Sequence, residues 1–270
     1  MSETKPLKNA SKKELSNIKG ICFDIDDTFS TDGKITKEAF EALWNLKNSG
    51  LVVVPVTGRP AGWCDHIIRF WPVDAVIGEN GAFVFYMDGG KRKRLDILQD
   101  EVIDDLKRKL HTLSEKIRKE FPNVFWASDQ NYREFDLAID ICEDVPRWDE
   151  KDVDRLLEFC GNEGAHAKLS SIHVNTWFGD YDKMTAFKKW TKAKMPGAVK
   201  TISSLDNWIY IGDSPNDEPA FEFFNMSVGV NNIKKYLEHL DHCPTWITEG
   251  RSGEGFCELS KVLIQSVSEK

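Results

Sequence analysis

The sequence predicts an α/β fold, a doubly wound parallel sheet interrupted by an inserted second α/β unit, and three observations predict it. Short apolar runs recur without polar alternation, as strands covered on both faces do. Segments with helical spacing separate them. From about residue 84 to 179 the strand-like stretches alternate instead, the mark of a half-exposed antiparallel sheet, before the first pattern resumes.

Residues 1–13 are polar and read as a frayed start. Residues 18–23 form the first apolar run, ending at Asp24-Ile25-Asp26-Asp27-Thr28. Residues 36–48 place Phe40, Leu43, Trp44 and Leu46 at helical spacing and stop at Gly50, and residues 51–56 are a second apolar run. That completes a βαβ unit. The second run ends in Thr57-Gly58-Arg59-Pro60, and a third, residues 75–77, ends in Gly78-Glu79-Asn80-Gly81. Three strands thus end in polar loops, at the sheet edge where ligands bind in open α/β folds.

After Gly81 the pattern changes. Residues 82–87, the Asp88-Gly89-Gly90 turn and the basic arm Lys91-Arg92-Lys93-Arg94 predict a hairpin. A long amphipathic helix over 100–121, alternating strands over 135–141 and 172–177, and a helix over 149–160 follow. A helix over 183–194 and an apolar strand over 208–211 restore the first pattern. The expected division is a Rossmann-like core of residues 1–83 and 180–270 around an inserted α/β cap of residues 84–179. Without internal repeats or low-complexity tracts, a chain of 270 residues suits two medium domains.

Composition excludes several classes. With 41% hydrophobic and 30% charged residues the chain can bury a sizeable core. A net charge of −8 argues against nucleic acid or anionic lipid as a partner, and the basic arm reads as a solvated hairpin. No stretch of about 18 uninterrupted apolar residues occurs, and the early lysines precede no apolar run, so neither a membrane span nor secretion is expected. Six cysteines without a C-x-x-C pair read as reduced thiols of a cytoplasmic protein. No histidine and cysteine spacing supports zinc. Oligomeric state is not legible.

The chemistry-bearing residues cluster at strand ends. In Asp24-x-Asp26-x-Thr28, one carboxylate can attack phosphorus while its alternate neighbour exchanges protons with the leaving oxygen and with water, although an acidic loop or helix cap has the same residues. Gly212-Asp213-Ser214-Pro215-Asn216-Asp217 offers hard oxygen ligands for Mg²⁺ after another apolar strand, or caps the next helix. Thr57 and Lys183 can hold the oxygens of a transferring phosphoryl group, though threonine also caps and lysine also solvates.

In this order the four motifs resemble the haloacid dehalogenase-like phosphatase superfamily over nearly the whole chain. Thr57-Gly58-Arg59, Glu79-Asn80-Gly81, the insert and the closing aspartate loop are similar to its Cof-type, or type IIB, branch, which includes sucrose, trehalose and mannosylglycerate-pathway phosphatases and phosphomannomutases. The segment Gly250-Arg251-Ser252-Gly253-Glu254-Gly255-Phe256 is also similar to sugar-phosphatase members, and equally to any glycine-rich turn before a helix. The resemblance implies an aspartyl phosphate on Asp24, with Asp26 as general acid and then base. It implies Mg²⁺ on Asp24, the Asp26 carbonyl and Asp213, with Asn216 or Asp217 as a direct ligand or a support behind one. Asp27 departs from the glycine many members carry there, and its role stays open.

Substrate selection falls to residues near the cap and the motif loops, with Gly58, Arg59, Glu79, Asn80, Arg133, His173, Asn175 and Trp177 as candidates. A Trp face suits a sugar ring, but packing on a neighbour suits it as well. The expected partner is a small phosphorylated metabolite, probed as a sugar phosphate. The competing expectations are a hexose phosphomutase and a phospho-receiver module without turnover.

Overall fold

The computed structural model describes residues 4–193 and 205–267. Among them are strands β1 (Lys5–Pro6), β2 (Gly20–Phe23), β3 (Val52–Pro55), β4 (Ala75–Gly78), β5 (Phe83–Asp88), β6 (Lys91–Asp96), β7 (Asp136–Asp140), β8 (His166–Leu169), β9 (His173–Trp177), β10 (Trp208–Gly212), β11 (Ser227–Gly229) and β12 (Trp246–Ile247). The helices are α1 (Lys12–Leu15), α2 (Lys37–Asn48), α3 (Ala61–Phe70), α4 (Asp100–Glu120), α5 (Glu150–Asn162), α6 (Lys183–Ala193), α7 (Glu218–Phe223) and α8 (Ser252–Val267). Residue 194, the expected end of α6, lies outside the described residues.

Six strands pair in the order β1-β12-β11-β10-β2-β3, every neighbour parallel. This is the Rossmann-like core. Its central strands are buried along their whole length, which is why Ile-Cys-Phe of β2 and Val-Val-Val of β3 carry no polar alternation. The expected fraying does not extend over residues 5–7. Lys5–Pro6 pairs with Trp246–Ile247, and Leu7 is buried; two residues of backbone pairing and one apolar anchor do what no periodicity announced.

Helix α2 begins where Thr36 accepts a hydrogen bond from the Ala39 amide and buries Ala39, Ala42, Leu43 and Leu46. The third expected parallel strand, β4, touches the β3 segment only through the Val56–Ile77 bridge and otherwise runs antiparallel to β5, which pairs with β6 in the expected hairpin. Phe83, Val84, Phe85 and Tyr86 of β5 bury their rings and branches in the same cluster as β2, β3 and β10.

A second apolar cluster forms the cap. Leu113 and Ile117 of α4 and Val153, Leu156 and Cys160 of α5 pack on Ile139 and Val174 of an antiparallel β7-β9-β8 sheet. The period of two sends Ile139 and Val174 to the helices, and Asp136, His173 and Asn175 to the opposite face, turned toward the core. No helix among the described residues is long and apolar enough to cross a membrane.

Candidate active site

The carboxyl ends of β2 and β10, adjacent in the sheet, bring two aspartate clusters together. The Asp24 amide donates to the Ile211 carbonyl at 3.0 Å, fixing the first cluster against the strand that carries the second. Lys183, at the start of α6, points its ammonium between them: Nζ donates to Asp24 Oδ1 at 2.9 Å and to Asp217 Oδ1 at 3.3 Å. These groups are 159 and 34 residues apart in sequence.

Asp217 is saturated. Its Oδ1 also accepts from the Tyr210 hydroxyl at 2.6 Å, and its Oδ2 accepts from the amides of Asp213 at 2.9 Å and Ser214 at 3.3 Å. Glycine at position 212 permits this. A Cβ there would lie 2.4 Å from Asp217 Oδ2, inside any allowed contact. Asp213, held by Asp217 from below, accepts from Thr28 Oγ1 at 3.3 Å, and Asn216 lies half-buried beside it.

Carboxylate oxygens of Asp24, Asp213 and Asp217 all lie within 4.8 Å of one another, and all three residues are buried. Burial pushes the Asp24 carboxyl up to about 8 against the pull of Lys183, with Asp217 and Asp26 adding repulsion. Burial, then Asp217 and Asp24, push Asp213 well above the carboxylate range. Burial also opposes the charge on Lys183, but Asp24 and Asp217 outweigh it and hold its proton more tightly than usual. One ammonium therefore faces three buried carboxylates, and a hard divalent cation is the charge such a donor set accommodates. Asp24 and Asp213 would hold such a cation, with the Asn216 amide nearby and Asp217, its oxygens taken, behind them.

Asp26 is held from the other side. Arg59 donates Nε to Asp26 Oδ2 at 3.0 Å and Nη2 to Oδ1 at 2.8 Å, a two-pronged grip. The same guanidinium reaches the cap: Nη2 donates to Glu143 Oε1 at 2.8 Å, and Nη1 lies 3.4 Å from Asp129 Oδ2. Trp63 stacks its ring 4.6 Å from the Arg59 carbon. Glu143 Oε2 is 2.9 Å from His173 Nε2, whose N–H is not aligned on it. Thr57 is buried next to Gly58, its Oγ1 accepting from the Arg59 amide at 3.0 Å.

A cavity of about 20 Å³ lies between core and cap, lined by Asp24, Asp26, Gly58, Arg59, His173, Asn175, Asp213 and Asn216 from the sequence-derived set. That holds little more than one water, so this arrangement of cap and core is closed around the site. Four of the expected substrate contacts, Glu79, Asn80, Arg133 and Trp177, do not line it. Trp177 is buried between His166 and Tyr181, its Nε1 donating to the Tyr181 carbonyl. Arg133 spends its guanidinium on Asp129, Asp136 and the Gly58 carbonyl. Glu79 accepts from the amides of Ala61, Glu134 and Phe135, tying α3 to the entry of the cap sheet. Asn80 stands behind Gly58 and donates to Asp136. The cavity's Ser170, Ser171, Ile172 and Ser214, and Glu143 beside it, were not singled out from sequence; only Ser214, inside the aspartate loop, carried any signal.

The haloacid dehalogenase-like hydrolase model matches residues 21–204, about two thirds of the chain, including most of β2, the cap and Lys183. The chain belongs to the haloacid dehalogenase-like hydrolase family. It is 27% identical over 251 residues to a phosphoglycolate phosphatase of Nitrosopumilus maritimus (strain SCM1), covering 91% of this chain and 96% of that one. Two solved structures share the fold: a Thermoplasma acidophilum protein, with TM-score 0.69 and 19% identity over 91% of this chain and 98% of that one, and the sucrose-phosphatase of Synechocystis sp. PCC6803 in complex with sucrose and phosphate, with TM-score 0.62 and 16% identity over 90% and 97%.

Proposed function

We propose that this hydrolase cleaves a small phosphate monoester, of the sugar-phosphate kind, with Mg²⁺ and through an aspartyl phosphate on Asp24. The observation that carries the reading is the Asp24–Lys183–Asp217 arrangement beside Asp213: a nucleophilic carboxylate, a cation for phosphoryl oxygens and a metal-suited donor pair at one sheet edge. The names of the relatives divide between phosphoglycolate and sugar phosphates. The hydroxyl of Ser171 and the amide of Asn175 in the lining support a hydroxyl-bearing alcohol.

Asp24 attacks phosphorus while Lys183 and Thr57 hold the phosphoryl oxygens. Asp26 protonates the departing alkoxide, then removes a proton from the water that cleaves the acyl phosphate. Mg²⁺ supplies neutralisation of the phosphoryl charge, so that one anion can approach another. Arg59 keeps Asp26 aimed into the cavity. The six cysteines, all unpaired, support a cytoplasmic setting.

The test is Asp24→Asn assayed for Mg²⁺-dependent phosphate release. Complete loss in a folded variant is expected; full activity would eliminate the aspartyl-phosphate route.

A further inference from the structure

We infer that Glu143 is a specificity-determining residue that bars esters of carboxylated alcohols and leaves the site to neutral, hydroxyl-bearing ones. The inference rests on the phosphatase reading above and narrows its substrate class. Among the described residues, the basic side chains lining the cavity are Arg59 and His173. One carboxylate lies against both: Glu143 Oε1 accepts from Arg59 Nη2 at 2.8 Å, and Oε2 sits 2.9 Å from His173 Nε2 without an aligned hydrogen bond. These are the two groups an incoming carboxylate would need.

Arg59 has nothing left to offer. Asp26, Asp129 and Glu143 surround it, and its remaining face lies against Trp63. A fourth carboxylate would meet an excess of negative charge in a largely buried setting, where like charges cost far more than in water. Burial alone would raise the Glu143 carboxyl, yet His173 and Arg59 hold it down to about 2, so it is charged across the working range. A neutral alcohol meets no such opposition and finds the Ser171 hydroxyl and the Asn175 amide on the same wall, the Ser170 hydroxyl being bonded to the His173 backbone and one Asn175 N–H to Asp136. Exclusion is thus built from an occupied cation rather than from a missing one.

A matched pair of esters tests this. Glycerol 3-phosphate and 3-phosphoglycerate differ at one end by CH₂OH against COO⁻. Phosphate release with Mg²⁺ is expected to favour glycerol 3-phosphate by about tenfold or more in kcat/KM for the native enzyme. Glu143→Gln, which frees Arg59, is expected to raise the ratio of kcat/KM for 3-phosphoglycerate over that for glycerol 3-phosphate by about tenfold, and Glu143→Asp is expected to restore discrimination. A native enzyme that prefers 3-phosphoglycerate overturns the inference, whatever the fate of the variants. So does an equal loss on both esters in Glu143→Gln, or native activity confined to p-nitrophenyl phosphate. No release from any of the three esters would remove the phosphatase reading itself.

Discussion

Asp27 shows how a single residue can look anomalous in sequence and ordinary in structure. Its φ is +56°, in the left-handed region, where glycine is favoured and aspartate is among the side chains that tolerate it. Its carbonyl accepts from Asn232 Nδ2 at 2.7 Å, so the loop keeps its shape without glycine. Gly212 is the opposite case, a position where a side chain has no room. Gly212→Ala would press a methyl group against Asp217 Oδ2 and dislodge the carboxylate that holds the Asp213 amide and Lys183. The expected result is a rise of about 10- to 100-fold in the Mg²⁺ concentration needed for half-maximal activity, read by metal titration. Residues of this kind were legible because their types recur at fixed spacing after apolar strands. Glu143 was not: one glutamate in a loop has no period and no partner in sequence, and its meaning comes from Arg59, 84 residues away. Trp177, Arg133 and Glu79 were placed near the right surfaces, but alternation gives a side chain's face and not what covers it.

At the scale of elements, strength of pattern decided what could be read. Helix α2 announced itself by a capping threonine, an apolar stripe and Gly50 at a φ of +85° past its end. Strand β8 did not, because four residues at a sheet edge are too few for a period to stand out, and its two apolar ones, Ala167 and Leu169, are small or only half-buried. The strand β1 and its neighbour Leu7 escaped for another reason: two residues are too short for any periodicity, and their stability comes entirely from the partner strand and the core beneath. Leu7→Ala is expected to cost about 2–5 kcal/mol of stability, the range for emptying a buried leucine site. Denaturant unfolding measures it, and a loss below about 0.5 kcal/mol would mean the segment is surface-like.

Taken whole, the molecule is two apolar clusters meeting across a polar seam, and the seam responds to acid. Glu143 joins Arg59 of the core to His173 of the cap, and its carboxyl titrates at about 2 against an ordinary 4.5. A depressed value in the folded state means the contribution is complete above about 4.5 and disappears as pH falls toward 2. The difference in Tm between the native chain and Glu143→Gln is therefore expected to stay level above about pH 5 and to shrink steadily below it. A difference that grew in acid would contradict the pairing. The two-unit plan was legible in sequence because both halves of the core repeat the same βα rhythm; the seam was not, since it is made of single polar residues drawn from distant loops.

The 159 residues between Asp24 and Lys183 also have a consequence in time. A ribosome adding roughly 5–20 residues per second leaves the first carboxylate without its ammonium for on the order of ten seconds, and Asp213 comes later still. During that interval the growing chain holds an acidic loop without the ammonium that faces it. Chemistry begins only when the second half of the core closes on the first, so a chain cut short before α6 cannot have this activity.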